Sequence, residues 1–331
     1  PTLNQKAAHR IDFLGSVFLA VASATLILAF SMGGSMYPWA SAMIIGLFVI
    51  SLVFWGLFLW WEGKAEEPML DPQVLTNRTF ITAAGAGFMS FFGLMAIMMY
   101  YPLFLQGVQG TNATVSGQMI TPFSMLMAFM GVPAGLALAK TKRYKWMFIA
   151  GYGILTLAMF GMVTFGINTP GWMSVLVTGL AGFGLGAIPT VNTLVAQFAV
   201  PRRLLGVAVG AIFFFVMMGM AITPSILGTA MNMTYATTLA GKVPAGLDAA
   251  VVAMIADPRV LLSPDAMTAL QAMIPDAGVF DQTVTAIRGA LEASLQTVNW
   301  IGAITMLISL VMIVTIPEVS IEAEVAEKPK G

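Results

Sequence analysis

The chain has 331 residues, of which 58% are hydrophobic and only 9% charged, and its mean hydropathy is +0.88. Soluble domains carry about 25% charged residues, so a soluble fold is excluded. Fifteen Lys and Arg balance fifteen Asp and Glu, which leaves no basic surface for nucleic acid, and the absence of Cys with a single His, His9, excludes disulfides, thiolate metal sites and cysteine nucleophiles.

A transmembrane helix needs about 20 mostly apolar residues. Uncharged runs of that length predict eight, near 11–31, 40–61, 79–105, 117–139, 146–167, 171–200, 205–233 and 297–316. The fold class expected is therefore an all-α membrane protein whose solvent is the lipid bilayer. The first run is too long for a signal-peptide core and lacks a small-residue cleavage site, so it reads as a retained helix.

All Lys and Arg fall outside these runs. Lys6, Arg10, Lys64, Arg78, Lys140, Lys142, Arg143, Lys145, Arg202, Arg203, Lys328 and Lys330 lie on one side, and only Lys242, Arg259 and Arg288 on the other. The positive-inside rule then puts both termini in the cytoplasm. Among the acids only Asp12 touches a run, at its first turn, where a carboxylate suits the positive helix end. No intramembrane charge is left for a proton relay, no nucleophile–base or metal constellation supports an enzyme, and no cofactor is implied.

Prolines divide the helices into two kinds. Pro102, Pro122, Pro133, Pro189 and Pro224 fall in the third, fourth, sixth and seventh runs, and the other four runs have none inside. Proline removes a backbone hydrogen bond and kinks a helix, tolerated in a membrane where neighbours satisfy the freed carbonyl. Amides follow the same division, with Gln106, Gln118, Asn192, Gln197 and Asn232; Thr190, Thr193 and Gln197 share one helical stripe. Such residues either line a substrate cavity or make interhelical hydrogen bonds. Gly131, Gly135, Gly179, Gly182, Gly186, Gly206 and Gly210 give spacings for close helix approach. Methionines, including Met125, Met127, Met130, Met217, Met218 and Met220, either fill gaps or line an adaptable apolar pocket. Gly182 to Gly186 superficially matches a dinucleotide loop, but no strand precedes it. Asn112-Ala113-Thr114 fits a glycosylation sequon.

Residues 234–296 form the one sizeable segment outside the membrane, with six acids against three bases, and Ser263-Pro264 reads as the start of a short helix. From about Phe280 the pattern stays helical into the last run. An outer cap of short helices with solvated charge is expected.

Asp12-Phe13-Leu14-Gly15, Glu67-Pro68-Met69-Leu70, Asn77-Arg78-Thr79-Phe80, Tyr101-Pro102-Leu103-Phe104-Leu105-Gln106 and Gly110, then Gly117, Pro122, Gly182, Gly184, Gly186, Pro189, Gln197, Val200-Pro201, Gly206 and Ala208 occur in one order and spacing. In these residues the chain resembles the C-terminal part of the fourteen-span drug:proton antiporters of the major facilitator superfamily, over essentially its whole length. The resemblance implies that residues 1–78 hold an N-terminal segment, a pair of linker helices and a cytoplasmic loop. Residues 79–316 would be the six-helix C-terminal half, with the cap at 234–296, and 317–331 a cytoplasmic tail. It implies a central cavity lined by the third, fourth, sixth and seventh helices, for a small apolar or amphipathic substrate, in a bacterial inner membrane. Tyr101, Gln106, Gln118, Asn192, Thr193 and Gln197 become the candidate cavity residues.

The family's N-terminal six-helix half, which usually holds its coupling acid, is not in this sequence, and alternating access needs two halves. A longer chain or a partner would supply it. Two departures from the family pattern bear on this: Ala139 and Lys142 replace the Asp and second Gly of a loop motif, and Val216, Met220 and Thr223 stand where an Arg and glycines are usual. They fit a second reading, a transport-inactive half retained as a structural or assembly subunit of a larger membrane complex.

Overall fold

The computed structural model describes residues 12–65, 68–141, 143–244 and 246–316. His9, Lys6, Arg10, Glu67, Lys142, the tail from 317 with Lys328 and Lys330, and the side chain of Ala139 lie outside the described residues. Among the described residues eight helices are long and apolar enough to cross a bilayer: α1 Phe13–Met32, α2 Ala42–Glu62, α3 Arg78–Val108, α4 Ala113–Leu138, α5 Lys145–Val163, α6 Gly171–Val195, α7 Arg202–Ala240 and α8 Ala277–Val314. They are the eight expected.

Polar side chains start several of them. Asp12, Asn77, Asn112 and Asp276 each accept a hydrogen bond, at 2.8–3.0 Å, from the backbone N–H three residues on. The sequon residue Asn112 is thus the cap of α4. Asn77 also donates to the Ala199 carbonyl at 2.6 Å, pinning the start of α3 to the end of α6.

Glycine sets how closely helices approach. A side chain on Gly182 of α6 would run into the backbone of Phe123 in α4, one on Gly186 would lie 2.6 Å from the Met127 carbonyl, and one on Gly184 as close to the Gly151 carbonyl of α5. By contrast Gly135, Gly206 and Gly210, read as contact positions, face open space. The spacing recurs where no helix is opposite.

The proline helices are irregular. In α3, wide π turns at Ala96–Tyr100 and Phe104–Val108 flank Pro102. The fourth helix consists of two pieces, Ala113–Phe129 and Gly131–Thr141, meeting just before Pro133. Helices α6 and α7 continue through Pro189 and Pro224.

Helices α1 and α2 pair as a hairpin and rest on α7. Phe58, Leu70, Val74, Phe80, Leu204 and Ala208 form a second core there. Trp61 Nε1 donates to Asp12 Oδ1 at 2.9 Å. Glu62, read as outside the membrane runs, is the last residue of α2 and is buried, its carboxylate accepting from the Met69 and Leu70 N–H groups at 3.1 and 3.2 Å.

The last helix begins at Ala277, close to Phe280 where the sequence pattern turns helical, and α7 reaches Ala240 rather than 233. At 1.5 Å per residue the 38 residues of α8 span about 57 Å, well beyond a hydrocarbon core of about 30 Å. Between these overhangs lie Ala249–Ile255, Pro258–Leu262 and Pro264–Met273, whose Ile255, Val260 and Leu270 are buried. Tyr235 of α7 donates to the Ile255 carbonyl at 2.7 Å. The cap is a packed layer with charge on its surface.

Gly182→Leu is expected to lower stability by about 2 kcal/mol or more, the cost of overpacking a close contact, read as a lower melting temperature in detergent. Gly206→Ala, whose Cβ meets no atom within 4 Å, is expected not to lower it.

Candidate functional site

Helices α3, α4, α6 and α7 converge on a cavity of about 350 Å³. From α3 it is lined by Gly87, Ser90, Phe91 and Leu94, from α4 by Met127, from α6 by Leu185, Gly186, Ile188, Pro189, Asn192 and Thr193, and from α7 by Ile212, Phe213, Val216 and Met220. None of these residues is charged. The wall is apolar and aromatic with three polar side chains, a composition suited to small molecules.

The polar groups are not equally available. Ser90 Oγ donates to the Gly87 carbonyl at 2.7 Å, and Thr193 Oγ1 to the Pro189 carbonyl at 2.9 Å. Both hydroxyl hydrogens are committed to their own helices. Asn192 is 3% exposed and its Oδ1 is enclosed without a hydrogen-bond partner. Its Nδ2 packs against the buried backbone of Gly87, so close that a Cβ there would displace the amide.

Two of the six candidate residues, Asn192 and Thr193, meet at this cavity together with the proline candidate Pro189. The other four lie elsewhere. Tyr101 is buried, stacked on Phe104 at 5.7 Å and beside Phe165 at 6.1 Å. Gln106 reaches Ser116 Oγ at 3.5 Å, and Gln118 is exposed on α4. At 1.5 Å per residue these three stand about 10, 18 and 14 Å along their helices from the nearest lining residue. Gln197 is half-buried near the end of α6.

Sequence reasoning missed Gly87 and Ser90, whose three-residue spacing on α3 was the available signal, and the ring pair Phe91 and Phe213. Met127 and Met220 line the cavity, whereas Met218 is buried in packing. A second cavity of about 500 Å³ lies between the far end of α7 and the cap, bordered by Asn232, Tyr235, Asp257 and Arg259. Among the described residues no group of His, Asp and Glu could hold a metal ion.

Tyr100, on the first π turn of α3, donates to the Pro224 carbonyl of α7 at 3.0 Å. Two walls of the main cavity are thereby tied at the level of their irregular turns.

Bilayer-length helices around an apolar cavity define an integral membrane protein of the all-α class. Residues 11–224 match the Major Facilitator Superfamily, and the chain belongs to that family. An uncharacterized MFS-type transporter of Mycobacterium tuberculosis (strain ATCC 25618 / H37Rv) is 31% identical over 219 residues, 66% of this chain and 32% of its own length. Multidrug transporter protein MdtP of Bacillus subtilis (strain 168) is 28% identical over 338 residues, 98% of this chain and 61% of its own length. Multidrug resistance protein 3 of the same organism is 29% identical over 236 residues, 70% and 45% of the two chains. The chain thus spans 32% to 61% of the length of these relatives. The family is one of transporters, not enzymes. All residues lining the main cavity fall inside the matched range, whereas the cap and α8 lie beyond it.

Tyr100→Phe is expected to cost about 1 kcal/mol, the net worth of one hydrogen bond, measured as a lower unfolding midpoint of the purified protein.

Proposed function

We propose that this chain forms one wall of a multidrug-efflux-type transporter. In this reading α1 and α2 are the linker pair and α3 to α8 the C-terminal six-helix half of a fourteen-span antiporter, with both termini on the cytoplasmic face of a bacterial inner membrane. The observation that carries it is the apolar cavity bordered by the four proline-bearing helices. Those are the four that resemblance to the fourteen-span antiporters assigns to the substrate path. The names of the Bacillus relatives support a multidrug role.

Alternating access works by two halves rocking about a midplane site. A wall without charge binds a small apolar or amphipathic molecule but carries no coupling proton. That task falls to an acid in a further six-helix half, on the same polypeptide or another. Phe129, Val132 and Leu136 of α4 and Met217 of α7 are more than half exposed, an apolar surface that such a half would cover. The same surface supports the second reading, docking against another membrane complex as a structural subunit.

Proteoliposomes decide between them. The chain reconstituted with the half that completes it is expected to move a lipophilic dye under a proton gradient, and the chain alone to move none. Met220→Trp, which fills the cavity, is expected to reduce that flux about tenfold or more. No flux with both halves present would sink the transport reading, and co-purification with a membrane complex lacking a second six-helix half would favour the structural one.

A further inference from the structure

The main cavity holds a polar group that neither packing nor the helix ladder uses. Asn192 is 3% exposed, its Oδ1 has no partner, and its Nδ2 meets α3 at the bare backbone of Gly87. An unpaired amide in an apolar wall is costly, and Gly87 gives it room beside α3, since any side chain there would displace it. Ser90 and Thr193 have already given their hydroxyl hydrogens to backbone carbonyls. They offer a ligand lone pairs only. The donor available at this wall is therefore Nδ2 of Asn192.

We propose that Asn192 is the specificity-determining residue of the cavity, which takes an uncharged, largely apolar molecule carrying one hydrogen-bond acceptor, a carbonyl or ether oxygen, set against Nδ2. Absence of charge in the lining leaves no ion-pair partner for an anion or cation at this wall. Phe91 and Phe213 supply flat faces for an aromatic body, and Gly87 gives the amide room beside α3. This assignment rests on the cavity being a ligand site, as proposed above.

Two tricyclic probes of one outline test it: 9-fluorenone, which carries a carbonyl, and fluorene, which has a methylene there. Binding of each radiolabelled probe is measured on the purified 331-residue chain in nanodiscs, with protein-free nanodiscs subtracted. Fluorenone is expected to bind about tenfold more tightly than fluorene, the ratio that one recovered hydrogen bond gives. Asn192→Leu is expected to bring the ratio to about one. Gly87→Ala, whose Cβ displaces the amide, is expected to reduce it as well, and keeps the test open should the first variant not fold. A wild-type ratio of one with both probes bound, or a ratio that survives in both variants, would overturn the assignment while leaving the cavity a ligand site. Binding of neither probe would overturn the cavity reading and this assignment with it.

Discussion

A peptide carbonyl inside hydrocarbon has no water to turn to, so a membrane helix must close its backbone hydrogen bonds within the protein. Each of Pro102, Pro122, Pro133, Pro189 and Pro224 deletes a donor from that ladder. Side chains add donors near some of them, though not at the freed carbonyls themselves: Tyr100 of α3 reaches the Pro224 carbonyl of α7, and Thr193 and Thr121 turn back on the Pro189 and Gly117 carbonyls. The cap-side end of α5 depends on the same device. Asn299 and Gln296 of α8 donate to the Met162 and Phe165 carbonyls, and Gln109 donates to those of Gly166 and Thr169. Most polar side chains in this bundle are spent on backbone.

That expenditure gives Asn192 its meaning. Around it, α4, α5 and α6 press together at Gly182, Gly184, Gly186 and Gly151 until backbone meets backbone. Contacts this close leave no room for a ligand, and the cavity opens beside them, where Phe91, Phe213 and Met220 stand off from one another. One helix, α6, thus serves as packing spine on one face and as cavity wall on the other. Its glycines and its Pro189–Thr193 segment divide the two tasks.

Hydropathy made the eight spans legible, because a bilayer demands about 20 apolar residues whatever the tertiary fold. Hydropathy marks only the apolar end of α8: Asp281, Arg288 and Glu292 lower it nearer the start, where the periodicity visible from Phe280 is the guide. The identity of the cavity helices was legible through their prolines. Which amides face the cavity was not, since a sequence carries no helix rotation: Tyr101 turned to Phe104 and Phe165, and Gln118 faced outward. Gly87 and Ser90 are small and unremarkable as letters, and matter only for what lies opposite. Glu62 missed detection by standing one residue past the expected end of its span.

The overhang of α7 and α8 has a mechanical consequence. Both helices leave the hydrocarbon still helical and are clamped together by the cap, through the Tyr235 hydroxyl and a buried layer of Ile255, Val260 and Leu270. Of the pair, α7 borders the main cavity and α8 does not. Any tilt of α7 at the cavity must therefore carry α8 with it.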